Sequence, residues 1–302
     1  MQPYDDRDGV IWLDGELVPW REAKLHVLSH GLHYASSVFE GERVYDRQVF
    51  KLREHSERLV RSGKLLGFDL PYSAAELELA TRRVVAANDV RDGYVRPVAW
   101  RGSEVISVPA RGTSIHVAIA AWDWPTFFSE DARENGIRLT LSQWRRPSPA
   151  SAPAQAKASG LYTISTLSID DARARGFDDA LLLDDAGRLA EASSANLFLV
   201  LDGRLHTPEP RCFLDGITRQ TVIRLARDEG QEVVERPIEL EELGRASEVF
   251  LTGTAYEVQP VRAVDAAEFA VGSVTRGLMA AFERLTRVPV DEPRLLAELS
   301  AG

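Results

Sequence analysis

A mixed α/β protein of two domains is what this sequence of 302 residues predicts. Three observations carry that expectation. Strand-like and helix-like stretches alternate in both halves of the chain. An aromatic, proline-containing stretch, Trp122-Asp123-Trp124-Pro125-Thr126-Phe127-Phe128, interrupts the alternation near the middle. The composition, 44% hydrophobic and 27% charged, is that of a globular chain with ample core material. The expected division is a smaller N-terminal domain over residues 1–125, a connecting loop over 126–135, and a larger C-terminal domain over 136–302 that contains Lys157.

The elements follow in order. Ile11 to Val18 places two β-prone halves around Asp14-Gly15, the signature of a tight hairpin. His30 to Tyr45 mixes Gly31, Ala35, Ser36 and Ser37 with Tyr34, Val38 and Phe39, and is expected to be a strand; its small residues suit a ligand's approach to the backbone, but the local evidence alone favours a glycine-marked bulge in a core strand. Leu52, Leu59, Leu65 and Leu66 recur at helical spacing. Ser73-Ala74-Ala75-Glu76 forms a capping box that opens a helix running to about Asn88. Residues 94–100 and 115–121 are strands with a polar loop between them.

In the second half, Arg138 to Gln143 is a strand, and the Pro/Ser run 147–153 leads into the Lys157 stretch and a helix from Gly160 to Ala174. Residues 180–191 form strand, turn and strand, and Asp202-Gly203 turns a hairpin between 196–201 and 204–207. A helix opens near Gly216, Glu248 to Thr252 is a strand, and Ser273 to Thr286 is an amphipathic helix.

A formal net charge of −10 argues against nucleic acid or an anionic membrane as partner. With Cys212 as the only cysteine, no intrachain disulfide or Cys-rich metal cluster can form. The acidic N-terminus lacks the pattern of a signal peptide, and no apolar run approaches membrane-spanning length, so a cytoplasmic location is expected. His26, His30 and His33 lack the spacing of a helical zinc signature, so no metal is expected.

Lys157 stands out. Of the 36 basic residues only four are lysines, and this one lies between Ala156 and Ala158. An amine with a lowered pKa can form a Schiff base, which guanidinium cannot. A single lysine is far more often solvated decoration, so the reading depends on its company. Asp215-Gly216-Ile217-Thr218 puts a glycine at a helix start, where unpaired amides and the dipole suit an anion; an ordinary helix start is the alternative. Thr252-Gly253-Thr254-Ala255 ends a strand in small and hydroxylated residues of similar capacity. Arg58 could supply a matching charge, although most helix-surface arginines are only solvated, and Glu191, in an otherwise uncharged segment, would if buried need a partner such as a protonated ring nitrogen, an exposed turn glutamate being the alternative.

Together with Val27 to Tyr34, Ser37-Val38-Phe39-Glu40-Gly41, Arg53-Glu54-His55 and Leu214 to Arg219, these motifs resemble the fold-type IV pyridoxal-phosphate aminotransferases, most of all the branched-chain amino acid aminotransferases. The resemblance covers nearly the whole chain in the right order. It implies the two-domain architecture of that fold type and pyridoxal 5'-phosphate as cofactor, joined to Lys157. Tyr162 would bond the cofactor hydroxyl and Glu191 its ring nitrogen, while Arg58, Ile217, Thr218 and Thr254 would hold the phosphate. Tyr94 and Arg96, with the amides of Thr254 and Ala255, would receive the substrate carboxylate. Tyr34, Phe39, Gly41, Trp124 and Phe127 would line the side-chain pocket, and Arg96 or Arg43 would accept the second carboxylate of glutamate. The implied reaction moves the amino group of Leu, Ile or Val to 2-oxoglutarate; a D-amino acid or (R)-amine transaminase and an aminodeoxychorismate lyase are the alternatives. A homodimer with shared sites is also implied. Three departures stand out: Tyr256 stands where the family usually has a small residue and Arg101-Gly102-Ser103-Glu104 is poorer in glycine, both of which bear on the substrate range, and Ala195 stands where some members have a glutamate.

Overall fold

The computed structural model describes residues 2–124 and 126–287. These fall into two compact units: 2–124 with 156–160 and 287, and 126–155 with 161–286. Lys157 and its immediate neighbours therefore cluster with the first unit, although the chain on either side of them belongs to the second.

The first unit contains strands β1 (Val10–Leu13), β2 (Glu16–Pro19), β3 (Ser37–Phe39), β4 (Glu42–Tyr45), β5 (Gln48–Val49), β6 (Gly93–Arg101) and β7 (Ile115–Asp123), with helices α1 (His30–Tyr34), α2 (Leu52–Leu65) and α3 (Ala74–Ala87). Its antiparallel sheet runs β2-β1-β7-β6-β4-β5, and β3 pairs with the far half of β6. The β1–β2 hairpin turns on Asp14 and Gly15, both at positive φ as such a turn requires. At α3 the capping box forms as expected, with the Glu76 amide donating to Ser73 Oγ and the Ser73 amide donating to the Glu76 carboxylate. Val95, Ala99, Val117 and Ile119 on the sheet pack with Leu59, Leu77 and Val84 of the two long helices into one core. One expectation fails: His30 to Tyr34 is a short helix, not a strand. The His30 amide donates to the Gly102 carbonyl at its start, and Ala35, in the left-handed region at φ 52, ends it.

The second unit contains α4 (Glu130–Asn135), β8 (Ile137–Arg145), α5 (Tyr162–Ala174), β9 (Asp179–Leu183), β10 (Leu189–Ala192), β11 (Asn196–Leu201), β12 (Arg204–Thr207), α6 (Ile217–Asp228), β13 (Val233–Glu235), β14 (Glu248–Gly253), β15 (Glu257–Val264), β16 (Ala267–Glu268) and α7 (Ser273–Thr286). The expected loop over 126–135 thus holds a helix, opened by Ser129, whose Oγ accepts from the Ala132 amide. The sheet order is β10-β9-β8-β15-β14-β11-β12-β13, and β10 also pairs with β11 through Glu191 and Asn196, which closes six strands into a ring. Strand β11 is buried along its whole length, which is why Asn-Leu-Phe-Leu-Val-Leu lacks the alternation of a half-exposed strand. Ile137, Leu139, Leu181, Leu197, Val249, Leu251 and Val261 belong to this unit's core. No helix among the described residues is long and apolar enough to cross a membrane.

Candidate active site residues

Lys157 is held by its backbone. Its amide donates to Ser62 Oγ on α2 at 3.0 Å and its carbonyl accepts from the Phe39 amide at 3.1 Å, while Ala158 bridges to Val38. Ala156 and Ala158 are buried, so the small flanking side chains have a packing reason, and the half-buried lysine side chain projects from a fixed base. Its Nζ lies 4.9 Å from the centroid of the Phe39 ring.

The same unit gathers most of the residues expected at the substrate. Arg96 Cζ lies 4.9 Å from the Phe39 ring centroid, and its Nη2 donates to Tyr94 Oη at 3.4 Å. The Tyr94 ring meets Trp124 edge-on at 4.6 Å, and Arg43 Nη1 donates to the Trp124 carbonyl at 2.9 Å. Gly41 makes room for Tyr94, whose hydroxyl a Cβ at this position would displace. Arg96 Nε is buried with no hydrogen-bond partner among the described residues, a donor in want of an acceptor. Arg96 also lines a groove of about 360 Å³ on the sheet face, with Val98, Trp100, Ala118, Ala120 and Leu32. Tyr34 is placed differently: it is 45% exposed on α1, and its hydroxyl donates to the Ile106 carbonyl.

Arg58 occupies a fully buried ionic cluster that the sequence did not reveal. Its Nε and Nη2 donate to the two Glu40 oxygens at 2.6 and 2.8 Å, and His55 Nδ1 lies 2.7 Å from Glu40 Oε2. Burial alone would raise the Glu40 pKa, but the charges and hydrogen bonds of Arg58 and His55 overcome it and hold the carboxyl far below its usual range. His55 is pushed down, chiefly by burial, so it favours the neutral form. His55, Arg58 and Ser62 share one helix face at spacings of three and four, a polar stripe pointing inward that a search for polar i, i+3, i+7 positions would find.

Glu42, also buried, leaves Oε2 with no hydrogen-bond partner among the described residues. Burial, with the neighbouring Glu40 charge, raises its pKa well above the usual 4.5. The folded protein therefore keeps a proton that the unfolded chain releases above about pH 4.5. Stability is lost as pH rises from there toward the folded pKa, by up to about 1.4 kcal/mol per pH unit. Glu42→Gln, which cannot ionise, is expected to melt above the wild type by a margin that widens between pH 5 and pH 8. Thermal unfolding across that range measures it; a margin independent of pH would mean that Glu42 is ionised in the folded protein.

In the second unit, buried Glu191 on β10 receives Arg146 Nη2 at 2.8 Å and Asn196 Nδ2 at 3.3 Å. Arg146, which carries no local signal in the sequence, also donates to the Ser193 carbonyl at 3.0 Å and to Ser165 Oγ at 3.2 Å. It thereby ties the Glu191 turn to α5, the helix that Tyr162 opens. Helix α6 begins at Ile217 behind Gly216, and no side chain caps it. A Cβ on Gly216 would collide with Asn196 Oδ1. Arg219, fully buried behind this first turn, donates to Asp215, Thr207, Glu235 and the Pro208 carbonyl, which ties the start of α6 to β12 and β13. The Thr254-Ala255 turn follows β14, and Gly253 packs on Ser194 and Ala195. Phe127 packs on Phe128 and Tyr256. Tyr256 itself is buried in the core, its hydroxyl donating to Asp179.

These groups suit pyridoxal phosphate. A pinned lysine suits an aldehyde, a buried carboxylate already ion-paired to arginine suits a ring nitrogen, and an uncapped helix start suits a phosphate. Among the described residues no three of His, Cys, Asp or Glu gather as metal ligands.

Comparison with known proteins is consistent in direction. A family profile described as amino-transferase class IV matches residues 37–264. The branched-chain-amino-acid aminotransferase of Pseudomonas aeruginosa is 42% identical over 271 residues, which cover 88% of this chain and 88% of that protein. The crystal structure of the branched-chain aminotransferase of Thermoproteus uzoniensis with norvaline has a TM-score of 0.89 at 40% identity, covering 93% of this chain and 95% of that one. That of the branched-chain amino acid aminotransferase of Thermobaculum terrenum in its PLP-bound holo form has a TM-score of 0.84 at 31% identity, covering 93% and 94%.

Proposed function

This chain belongs to the class IV aminotransferase family, and from that premise we propose a pyridoxal-phosphate-dependent transaminase that moves the amino group of Leu, Ile or Val to 2-oxoglutarate. The observation that carries the reading is Lys157, whose amide and carbonyl are both anchored so that its amine is presented from a rigid base. When bound, the cofactor supplies an aldehyde for amine exchange and a ring that withdraws electrons from the substrate Cα.

The chain's own residues do the rest. Lys157 would hold the cofactor through Nζ, and the same amine, when free, would be the base for the proton on the substrate Cα. Glu191, kept in place by Arg146 and Asn196, keeps the ring nitrogen protonated. Tyr162 would hydrogen-bond the ring hydroxyl. Arg58, the amides of Ile217 and Thr218, and Thr254 are the groups that would hold the phosphate. Arg96, with its buried Nε, takes the substrate carboxylate together with Tyr94 and the Thr254 and Ala255 amides. Arg43 receives the second carboxylate when glutamate is the amine carrier. Phe39, Gly41, Trp124 and Phe127 bury the branched side chain, at about 0.8 kcal/mol per CH₂ group removed from water.

A homodimer fits the same reading. Leu25, Val27, Leu28, Leu32, Ile106 and Val108 are exposed, and hydrogen bonds from His33 to the Val27 carbonyl and from Tyr34 to the Ile106 carbonyl gather their segments into one patch. A second copy covering that patch would also account for the exposed position of Tyr34.

One preparation tests the whole reading. The purified enzyme, sedimenting with the mass of two chains, is expected to transfer the amino group of L-leucine to 2-oxoglutarate with a kcat/KM at least about tenfold above that for L-alanine. Faster turnover of D-alanine or (R)-phenylethylamine than of L-leucine would overturn it.

A further inference from the structure

Tyr256 is a large, nearly fully buried side chain at the end of the Thr254-Ala255 turn. Its hydroxyl donates to Asp179 Oδ2 at 2.6 Å and accepts from Ser194 Oγ at 3.4 Å. Asp179 lies 77 positions away on β9, is itself buried, and also accepts from the Ala180 amide at 2.7 Å. Burial raises the pKa of the Asp179 carboxyl, and burial with the adjacent Asp179 charge raises that of the phenol, so the hydroxyl stays a donor across the working pH range. The ring is therefore fixed in the core by a buried hydrogen bond that costs dearly to leave half-made.

Three features converge on this ring. Phe127 lies 5.4 Å from it and Phe128 packs edge-on at 5.1 Å, with Phe127 and Phe128 themselves edge-on at 4.8 Å. The Ser193-Ser194 turn, which follows Glu191, reaches its hydroxyl. The Thr254-Ala255 turn leads directly into it. Phe127 is 37% exposed, and Tyr256 and Phe128 both pack against its ring.

We propose that Tyr256, locked by Asp179, is a positioning residue that sets the side-chain size limit of the amino donor by holding Phe127 in place. The proposal rests on the transaminase reading, in which Phe127 lines the side-chain pocket. With the ring removed, Phe127 can settle into the vacated space and the pocket gains room for a larger donor. With only the hydroxyl removed, the ring stays but its anchor goes.

The test compares the wild type, Tyr256→Ala and Tyr256→Phe as holoenzymes, with L-leucine and L-phenylalanine as donors and 2-oxoglutarate as acceptor. Tyr256→Ala is expected to raise the ratio of kcat/KM for L-phenylalanine to that for L-leucine by at least about tenfold, chiefly through KM. Tyr256→Phe is expected to move the ratio in the same direction by less. A role confined to stability would lower the melting temperature and depress both donors together, leaving the ratio unchanged; that result in both variants overturns the proposal. Should Tyr256→Ala fail to fold, Tyr256→Phe decides, since it preserves the ring, and a ratio within twofold of the wild type overturns the proposal. A wild type that does not turn over L-leucine at all overturns the transaminase reading first, and the size-limit proposal with it.

Discussion

Lys157→Ala is expected to lower kcat for L-leucine transamination by at least about 10³-fold, because the same amine both holds the cofactor and carries the proton. The fold should survive. The two contacts that fix residue 157, from its amide to Ser62 Oγ and from the Phe39 amide to its carbonyl, are backbone contacts that alanine keeps. The expected melting temperature is therefore close to that of the wild type, which separates loss of chemistry from loss of structure. Lys157→Arg should be as inactive, since guanidinium keeps its proton and cannot form the covalent link. Borohydride treatment followed by mass spectrometry is expected to leave the cofactor attached to the wild-type chain and absent from both variants. A variant retaining more than a tenth of wild-type kcat would remove Lys157 from the centre of the mechanism.

Arg58→Met is expected to have the largest effect on stability. It leaves the Glu40 carboxylate, which has no solvent exposure, facing the Gly41 amide and His55, whose own burial favours the neutral form. Breaking a buried pair by removing one partner costs about 3–5 kcal/mol, which for a chain of this size means a fall in melting temperature on the order of 10 °C. The sign with pH follows from the geometry. In the wild type the Glu40 pKa is depressed, so its contribution is present at neutral pH and is lost only as pH falls well below the carboxylate range. Without Arg58 the burial penalty is uncompensated and the Glu40 pKa rises. The variant's deficit should therefore be larger at pH 8 than at pH 5, where Glu40 can bind a proton. Replacing both partners, Glu40→Leu with Arg58→Met, should recover much of the loss, because no charge is then left buried alone. A deficit under about 1 kcal/mol by thermal or urea unfolding would mean that water reaches Glu40 in the variant. If Arg58 also holds the cofactor phosphate, the double variant will recover stability without recovering cofactor affinity.

Much of the local structure was legible in the residues. Asp14-Gly15 and Asp202-Gly203 turn their hairpins, and the Ser73/Glu76 box opens α3, because the energies that favour them are settled within four residues. The helices over 52–65, 162–174 and 273–286 were visible because one apolar face repeats along them. His30 to Tyr34 misled for the converse reason: five residues are too few for a period, and small residues beside aromatics suit a helical turn as well as a strand. The short strand β16 and the strand β15 after the Thr254-Ala255 turn went unassigned, since β15 is buried for most of its length and shows no alternation.

The site divides along the same line. Lys157, Glu191, Arg58 and the helix start at Gly216 were singled out by residue type, since an isolated lysine between alanines and a carboxylate in an uncharged segment are anomalies within a short window. Their partners were not. Glu40 lies 18 positions from Arg58, Arg146 is 45 positions from Glu191, and Asp179 is 77 from Tyr256. What the sequence determined by itself is the list of groups with unusual chemistry and the local elements that carry them. Only the tertiary structure decided that Arg58 is gripped by Glu40, that Glu191 is ion-paired to Arg146, and that Tyr256 turns into the core and not toward a ligand. The physical reason is burial: pairing a charge or a hydroxyl becomes obligatory only where water is excluded, and water is excluded by packing between segments that no short-range pattern connects.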